Sequence, residues 1–221
     1  MKTLFAAALL IAAFGLAGTA AADPHAGHAG HLADIEHYAE LVDRPAPGFA
    51  LLDLEGKPVS LDDFQGKAVV LWFIYANCPD VCPLHTDSIA AVQQLVNAGP
   101  LKDRVEFVAI TTDPVRDTPE ILEGFARAHG LDSANATLLS SGAGQPDATR
   151  ALAESFGVSF MPMEDGMQMH AAVMHLIDPT GKVRARYHGL EFEPENAVTH
   201  LEALTGKPGL LDRFLSLFQS R

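Results

Sequence analysis

Cysteine is scarce in this chain: there are two among 221 residues, Cys78 and Cys82. A disulfide-dense scaffold is therefore excluded, and the single pair has to be explained by its own surroundings. Basic residues are also few, 15 against 28 acidic ones, for a formal net charge of −13. A phosphate backbone selects basic surfaces, so this balance argues against nucleic acid as a partner. An acidic exterior suits metal cations or basic partners instead. Aromatic residues make up only 7% of the chain, and no internal repeat is present. Hydrophobic residues still reach 48%. That is enough for one globular domain with a real core, in a chain too short for two large ones.

The N-terminus bears on the compartment. Lys2 precedes an uncharged stretch, Leu4 to Leu16, and small residues lead to Ala20-Ala21-Ala22 just before Asp23. A basic start, a short apolar middle and an Ala-x-Ala end read as a secretory signal over residues 1–22. Left uncleaved, Thr3 to Ala22 is nearly long enough to anchor the chain in a bilayer. Either way the remainder is expected in the periplasm or an equivalent space, where a cysteine pair can oxidise. Membrane contact follows only from the uncleaved alternative. Residues 23–43 read as a flexible tail carrying His25, His28, His31 and His37. Such a tail is either a solvated tether or a low-affinity metal collector.

A compact domain is expected over residues 44–206, opening at Arg44-Pro45-Ala46-Pro47. Phe49 to Leu54 and Val59-Ser60 flank Glu55-Gly56-Lys57-Pro58, the signal of an N-terminal hairpin extension. Lys67 to Ala76 contains the unbroken apolar run of a strand buried on both faces, and Val105 to Ile110 repeats that character. Ile89, Val92 and Val96 recur at helical spacing, which predicts a helix from Pro83 to about Asn97. Thr118-Pro119-Glu120 opens another, with Thr118 as N-cap, ending at Gly130. Thr137 to Leu139 suits a short strand and Asp147 to Ser155 a helix. Ala171 to Ile177 and Val183 to Tyr187 flank Asp178-Pro179-Thr180-Gly181, a second hairpin, and Pro194 to Leu204 is helical. Residues 207–221 carry an apolar stripe, Leu210, Phe214 and Phe218, read as a C-terminal helical extension. This order predicts an α/β, thioredoxin-like fold: a mixed central sheet flanked by helices.

The chemistry concentrates at Asn77-Cys78-Pro79-Asp80-Val81-Cys82-Pro83, between a buried strand and a helix start. Two thiols four residues apart can face one side. The partial positive charge of a helix N-terminus favours thiolate, which serves both disulfide exchange and Cu(I) binding. A merely stabilising disulfide is a poor explanation, because so short a loop restrains the unfolded chain little. Two sulfurs leave a copper ion wanting a third ligand, and histidine is the usual addition. The domain offers His85, His129, His170, His175, His188 and His200. His129 reads as a helix C-terminal residue, while His188 and His200 read as surface positions. His85 stays open. Strand alternation from Met169 to His175 would put His170 and His175 on opposite faces, so at most one can face the cysteines. Met161, Met163, Met167 and Met169, mixed with Glu164, Asp165 and Gly166, do not fit a buried run. They suggest a loop presenting thioethers for Cu(I) capture or hand-over.

At this point the chain resembles the Sco/SenC proteins, thioredoxin-fold copper carriers used in assembling the dinuclear copper site of cytochrome c oxidase. Phe73 to Pro83 matches the family's Cys-Pro-Asp-Val-Cys-Pro signature, and Thr112 to Pro119 looks like its Asp-Pro-x-Arg-Asp-Thr-Pro loop. In His170 to Pro179, the family's histidine stands six residues before the Leu of a Leu-Ile-x-Pro turn. The resemblance implies Cys78, Cys82 and His170 as ligands of Cu(I) and Cu(II), and places Asp113 near the metal. It departs where Met169 replaces the usual Asp and His175 the usual Tyr. The function implied is a periplasmic copper metallochaperone. Its partners would be the copper-bearing oxidase subunit, and other copper carriers or thiol reductants. The alternative is a thiol–disulfide oxidoreductase using Cys78 and Cys82 as its redox pair. Asp113, Met163, Met167 and Met169 are accessory candidates.

Overall fold

The computed structural model describes residues 37–206 other than Asp165. The expected signal segment, most of the histidine tail and the extension over 207–221 lie outside these residues. In chain order the elements are β1 (Ala39–Pro45), β2 (Ala50–Leu52), β3 (Pro58–Ser60), β4 (Ala68–Ile74) and α1 (Val81–Asn97). There follow β5 (Val105–Thr111), α2 (Pro119–Ala128), β6 (Ala136–Leu139) and α3 (Ala148–Ser155). The chain continues through β7 (Phe160–Pro162), β8 (Gln168–His170), β9 (Val173–Ile177), β10 (Lys182–His188) and α4 (Pro194–Thr205). Six strands form one sheet in the order β1-β10-β9-β4-β5-β6, with two separate hairpins, β2-β3 and β7-β8. The pairs β4-β5 and β5-β6 are parallel, and the pairs from β1 to β4 are antiparallel. This is the thioredoxin-like mixed sheet expected from the sequence. Among the described residues no helix is long and apolar enough to cross a membrane.

The unbroken apolar runs explain the centre of the sheet. Every residue of β4 and β5 is buried, because helices or loops cover both faces. Alternation then divides the core in two. Ala68, Val70, Trp72 and Ile74 face a layer with Ile89, Val92 and Val96 of α1, Leu122 of α2 and Leu201 of α4. Val69, Leu71, Phe73 and Tyr75 face the other layer, where they meet Phe156, Phe160, Val173 and both cysteines. Capping sets the boundary of α2: the Thr118 hydroxyl accepts from the Ile121 N–H at 3.5 Å, and Pro119 takes the first turn.

Three boundaries differ from the sequence expectation. The sheet begins at Ala39, inside the stretch read as tail. Ala-Glu-Leu-Val-Asp-Arg-Pro lacks an apolar face because β1 is an edge strand. Backbone pairing with β10 holds it, with Arg186–Glu40 (2.6 Å) and Lys182–Asp43 (3.2 Å) across the pair. The helix after the cysteines starts at Val81 rather than Pro83, so Cys82 is its second residue. The strand expected from Ala171 starts at Val173, and the methionine stretch before it folds back as the β7-β8 hairpin.

Candidate metal centre

Cys78 lies in the turn that leaves β4, its N–H donating to the Tyr75 carbonyl at 3.1 Å. Cys82 follows on the first turn of α1, and its backbone N–H points at Cys78 Sγ (3.5 Å). The turn and the helix start, rather than helical stacking of positions i and i+4, therefore bring the thiols together. Both are buried, and no disulfide joins them. Asp117 supports this turn from below. Its Oδ2 accepts from the Ala76 N–H (3.0 Å) and the Thr111 hydroxyl (2.5 Å). The residues around Asp117 in the sequence give no sign that its carboxylate lies buried this close to Cys82. Burial raises its pKa against these hydrogen bonds.

The third member arrives from the β7-β8 hairpin. Tyr75, at the end of β4, pins that hairpin: its hydroxyl donates to the Gln168 carbonyl (3.1 Å) and accepts from the Gln168 N–H (3.2 Å). Phe160 sits opposite His170 in the hairpin register and stacks on its ring at 4.3 Å. Tyr75 meets the same ring edge-on at 5.7 Å. His170 Nδ1 donates to the Ala171 carbonyl (3.1 Å), which leaves the Nε2 lone pair facing Cys82 Sγ at 3.0 Å. The ligand atoms of Cys78, Cys82 and His170 all lie within 4.8 Å of one another, the one such group of three among the described residues. Two thiolates and a neutral imidazole are a soft donor set that suits copper or zinc.

Burial has opposite outcomes at the two thiols. At Cys78 it disfavours the thiolate, but the N–H groups of Cys82 and Asp80, the Tyr75 hydroxyl and the Cys82 thiol outweigh it, and the pKa falls. At Cys82 burial dominates and, with the neighbouring Cys78 charge, pushes the pKa up. Burial also lowers the His170 pKa, keeping the ring neutral near pH 7 and its Nε2 available as a donor.

The other histidines are placed elsewhere. His175 lies in the same layer as the cysteines, not on the opposite face, because the break at 171–172 interrupts the alternation. Both its ring nitrogens lie against carbonyl oxygens, Phe156 at 3.2 Å and Leu71 at 3.4 Å. Burial pushes its pKa down to about 4. His85 is buried one turn beyond Cys82, outside the group of three, and its Nε2 has no partner. His200, expected at the surface, is buried beside the Tyr187 hydroxyl (3.3 Å). His188 is exposed and bonds Glu40 (3.0 Å), and His129 caps α2 while bonding Asp87 (2.7 Å). Asp113 is not in the group. Its carboxylate pairs with Arg116, whose guanidinium donates to the Gly166 carbonyl at 2.5 Å in the β7-β8 turn. Asp113 thus reaches the centre only by bracing the hairpin that carries His170.

A family model described as SCO1/SenC matches residues 40–206. The chain belongs to the SCO1/SenC family. Its relatives include the SCO1 protein homolog of Bacillus subtilis, 29% identical over 147 residues, 66% of this chain and 75% of that protein. Protein sco1 of Schizosaccharomyces pombe is 30% identical over 150 residues, and the match covers 64% of this chain but only 54% of that protein. Among solved structures, a SCO1/SenC family lipoprotein from Bacillus anthracis aligns with a TM-score of 0.68 at 27% identity, covering 76% of this chain and 98% of that one. Bradyrhizobium japonicum ScoI with copper bound gives 0.60 at 27% identity, over 73% and 99%.

Proposed function

We propose that this SCO1/SenC protein carries copper, as Cu(I) or Cu(II), on Cys78, Cys82 and His170. It works in the periplasm or an equivalent space and delivers copper to, or matures, the dinuclear site in the copper-bearing subunit of cytochrome c oxidase. The observation that carries the reading is the convergence of two sulfurs and the Nε2 of a neutral imidazole within 4.8 Å, from segments about 90 residues apart. The copper-bound Bradyrhizobium relative supports the choice of metal. Binding requires the dithiol form and releases the thiol protons, so oxidation of the pair expels the ion. Titration of the reduced protein with Cu(I) and Cu(II) tests this. At Cys78, Cys82 and His170 one equivalent of Cu(II) is expected to bind, with a sulfur-to-copper charge-transfer band, or one of Cu(I), and neither should bind at these three residues after oxidation. Retention of full Cu(II) affinity by the oxidised pair would refute the assignment.

A second reading, thiol–disulfide exchange, is favoured by the unequal thiols. Cys78 as thiolate would attack a partner disulfide and displace one partner thiolate. Cys82, after losing its proton to solvent, would then attack the mixed disulfide and release the second, moving two electrons to the partner, whose two thiolates take their protons from solvent. Rapid reduction of an oxidase-subunit disulfide, by a protein that binds copper poorly, would favour this reading over the first.

A further inference from the structure

The β7-β8 hairpin has two faces, and the centre described above uses only one. Cα pairing sets Phe160 opposite His170, Met161 opposite Met169 and Pro162 opposite Gln168. The Met163 N–H donates to the Met167 carbonyl at 2.8 Å, so the register continues one step to Met163 opposite Met167. Side chains alternate along a strand. Phe160, Gln168 and His170 therefore share the inner face, where Phe160 and Gln168 are buried. All four methionines share the outer face as two opposed pairs. Met161, Met163 and Met169 are 51%, 51% and 56% exposed. That exposure gives no packing reason for so many apolar side chains on ten residues.

We propose that this outer face is a second Cu(I) site, in which the thioethers of Met161 and Met169, with Met163 and Met167, hold one ion apart from Cys78, Cys82 and His170. Opposed residues of an antiparallel pair place their Cβ atoms roughly 4.5–5.5 Å apart. Methionine has three rotatable bonds, so the sulfurs of such a pair can close on a single ion. Thioethers are soft and select Cu(I) over Cu(II). They carry no proton and form no disulfide, so this site takes copper at acidic pH and when the cysteine pair is oxidised, the two conditions that empty the thiolate centre. Exposed Glu164 at the turn adds negative charge, and the nearby Arg116 guanidinium is already paired with Asp113.

The proposal rests on the reading of this protein as a copper carrier, and its test separates the two. Methyl-labelled methionine gives one NMR signal per residue, and Ag(I) stands in for Cu(I) without redox chemistry. In the Cys78→Ser/Cys82→Ser protein, one equivalent of Ag(I) is expected to shift Met161, Met163, Met167 and Met169. Met174, fully buried in the core, should stay in place as the internal reference. The shifts should persist at pH 5, where imidazole sites weaken. Replacing the four methionines by leucine in otherwise wild-type protein should reduce Cu(I) uptake from two equivalents to one. Unmoved outer-face methyls in excess Ag(I) would overturn the proposal and leave the face as a contact surface for another protein. Methyl shifts lost at pH 5 would overturn it in favour of histidine binding. If the reduced wild type took up no Cu(I) at all, the copper reading itself would fail, and the assignment of copper to the methionines with it.

Discussion

His170 and His175 stand five residues apart in one segment, both touch aromatic rings of the same core layer, and both are held neutral by burial. They nevertheless have different chemistry. His175 sits in the middle of β9, where the carbonyl oxygens of Leu71 and Phe156 face both ring nitrogens, one accepting the single N–H and the other covering the remaining nitrogen. His170 ends a short hairpin strand, where a single carbonyl, that of Ala171, fixes one nitrogen and leaves the other facing a thiol. Burial alone does not make a ligand. What decides is what faces the nitrogen that keeps its lone pair: a second carbonyl oxygen at His175, a thiol at His170.

The comparison can be broken at its structural end first. His175→Ala should cost roughly 2–5 kcal/mol of stability in denaturant unfolding, the range for emptying a large buried side chain, while copper affinity stays unchanged. A loss of copper binding without loss of stability would reverse the roles given to the two rings. His170→Ala should weaken Cu(II) binding at least about a hundredfold, above the range typical of residues that only orient a ligand, and leave the melting temperature nearly unchanged.

Acid sharpens the contrast next. Burial holds His85 at about 3 and His175 and His200 at about 4, against roughly 6.5 in the unfolded chain. The folded state therefore binds fewer protons, and the stability present above pH 6.5 is lost as pH falls toward these values. Each ring contributes up to about 1.4 kcal/mol per pH unit in that window. The groups facing them act in the same direction: Arg44 and Arg186 at His175, Arg184 at His200, and His170 and His175 at His85. Urea unfolding at pH 7 and pH 5 measures the slope, and His175→Leu should flatten it. A slope unchanged by that substitution would show that His175 titrates normally.

The smallest effect concerns the brace. Tyr75→Phe removes the hydroxyl that bonds both backbone groups of Gln168, at a cost of about 1–2 kcal/mol. Because the same hydroxyl favours the Cys78 thiolate, iodoacetamide should also alkylate Cys78 more slowly near neutral pH. An unchanged alkylation rate would remove Tyr75 from the centre.

Much of this was legible in the residues themselves. Unbroken apolar runs marked β4 and β5, Thr118-Pro119 marked the start of α2, and the cysteine signature marked the turn where the thiols meet. Less visible were features whose cause lies in distant partners. β1 has no apolar alternation, since it is an edge strand paired through its backbone. Nothing local to Asp117 shows that Thr111 and Ala76 will enclose its carboxylate. The β7-β8 hairpin did leave a trace, in Met-Pro-Met and Met-Gln-Met-His alternating with period two on either side of a Gly-containing turn. Read as a continuous approach to β9, that stretch misplaced His175 relative to His170.

X-ray absorption at the copper edge of reduced protein with the four hairpin methionines replaced by leucine, loaded with one equivalent of copper, tests the convergence of donors most directly. Two sulfur scatterers and one imidazole are expected around the ion, with the imidazole signal absent in His170→Ala and intact in His175→Ala. A shell of nitrogen and oxygen alone, or an imidazole signal that survives removal of His170, would contradict the site.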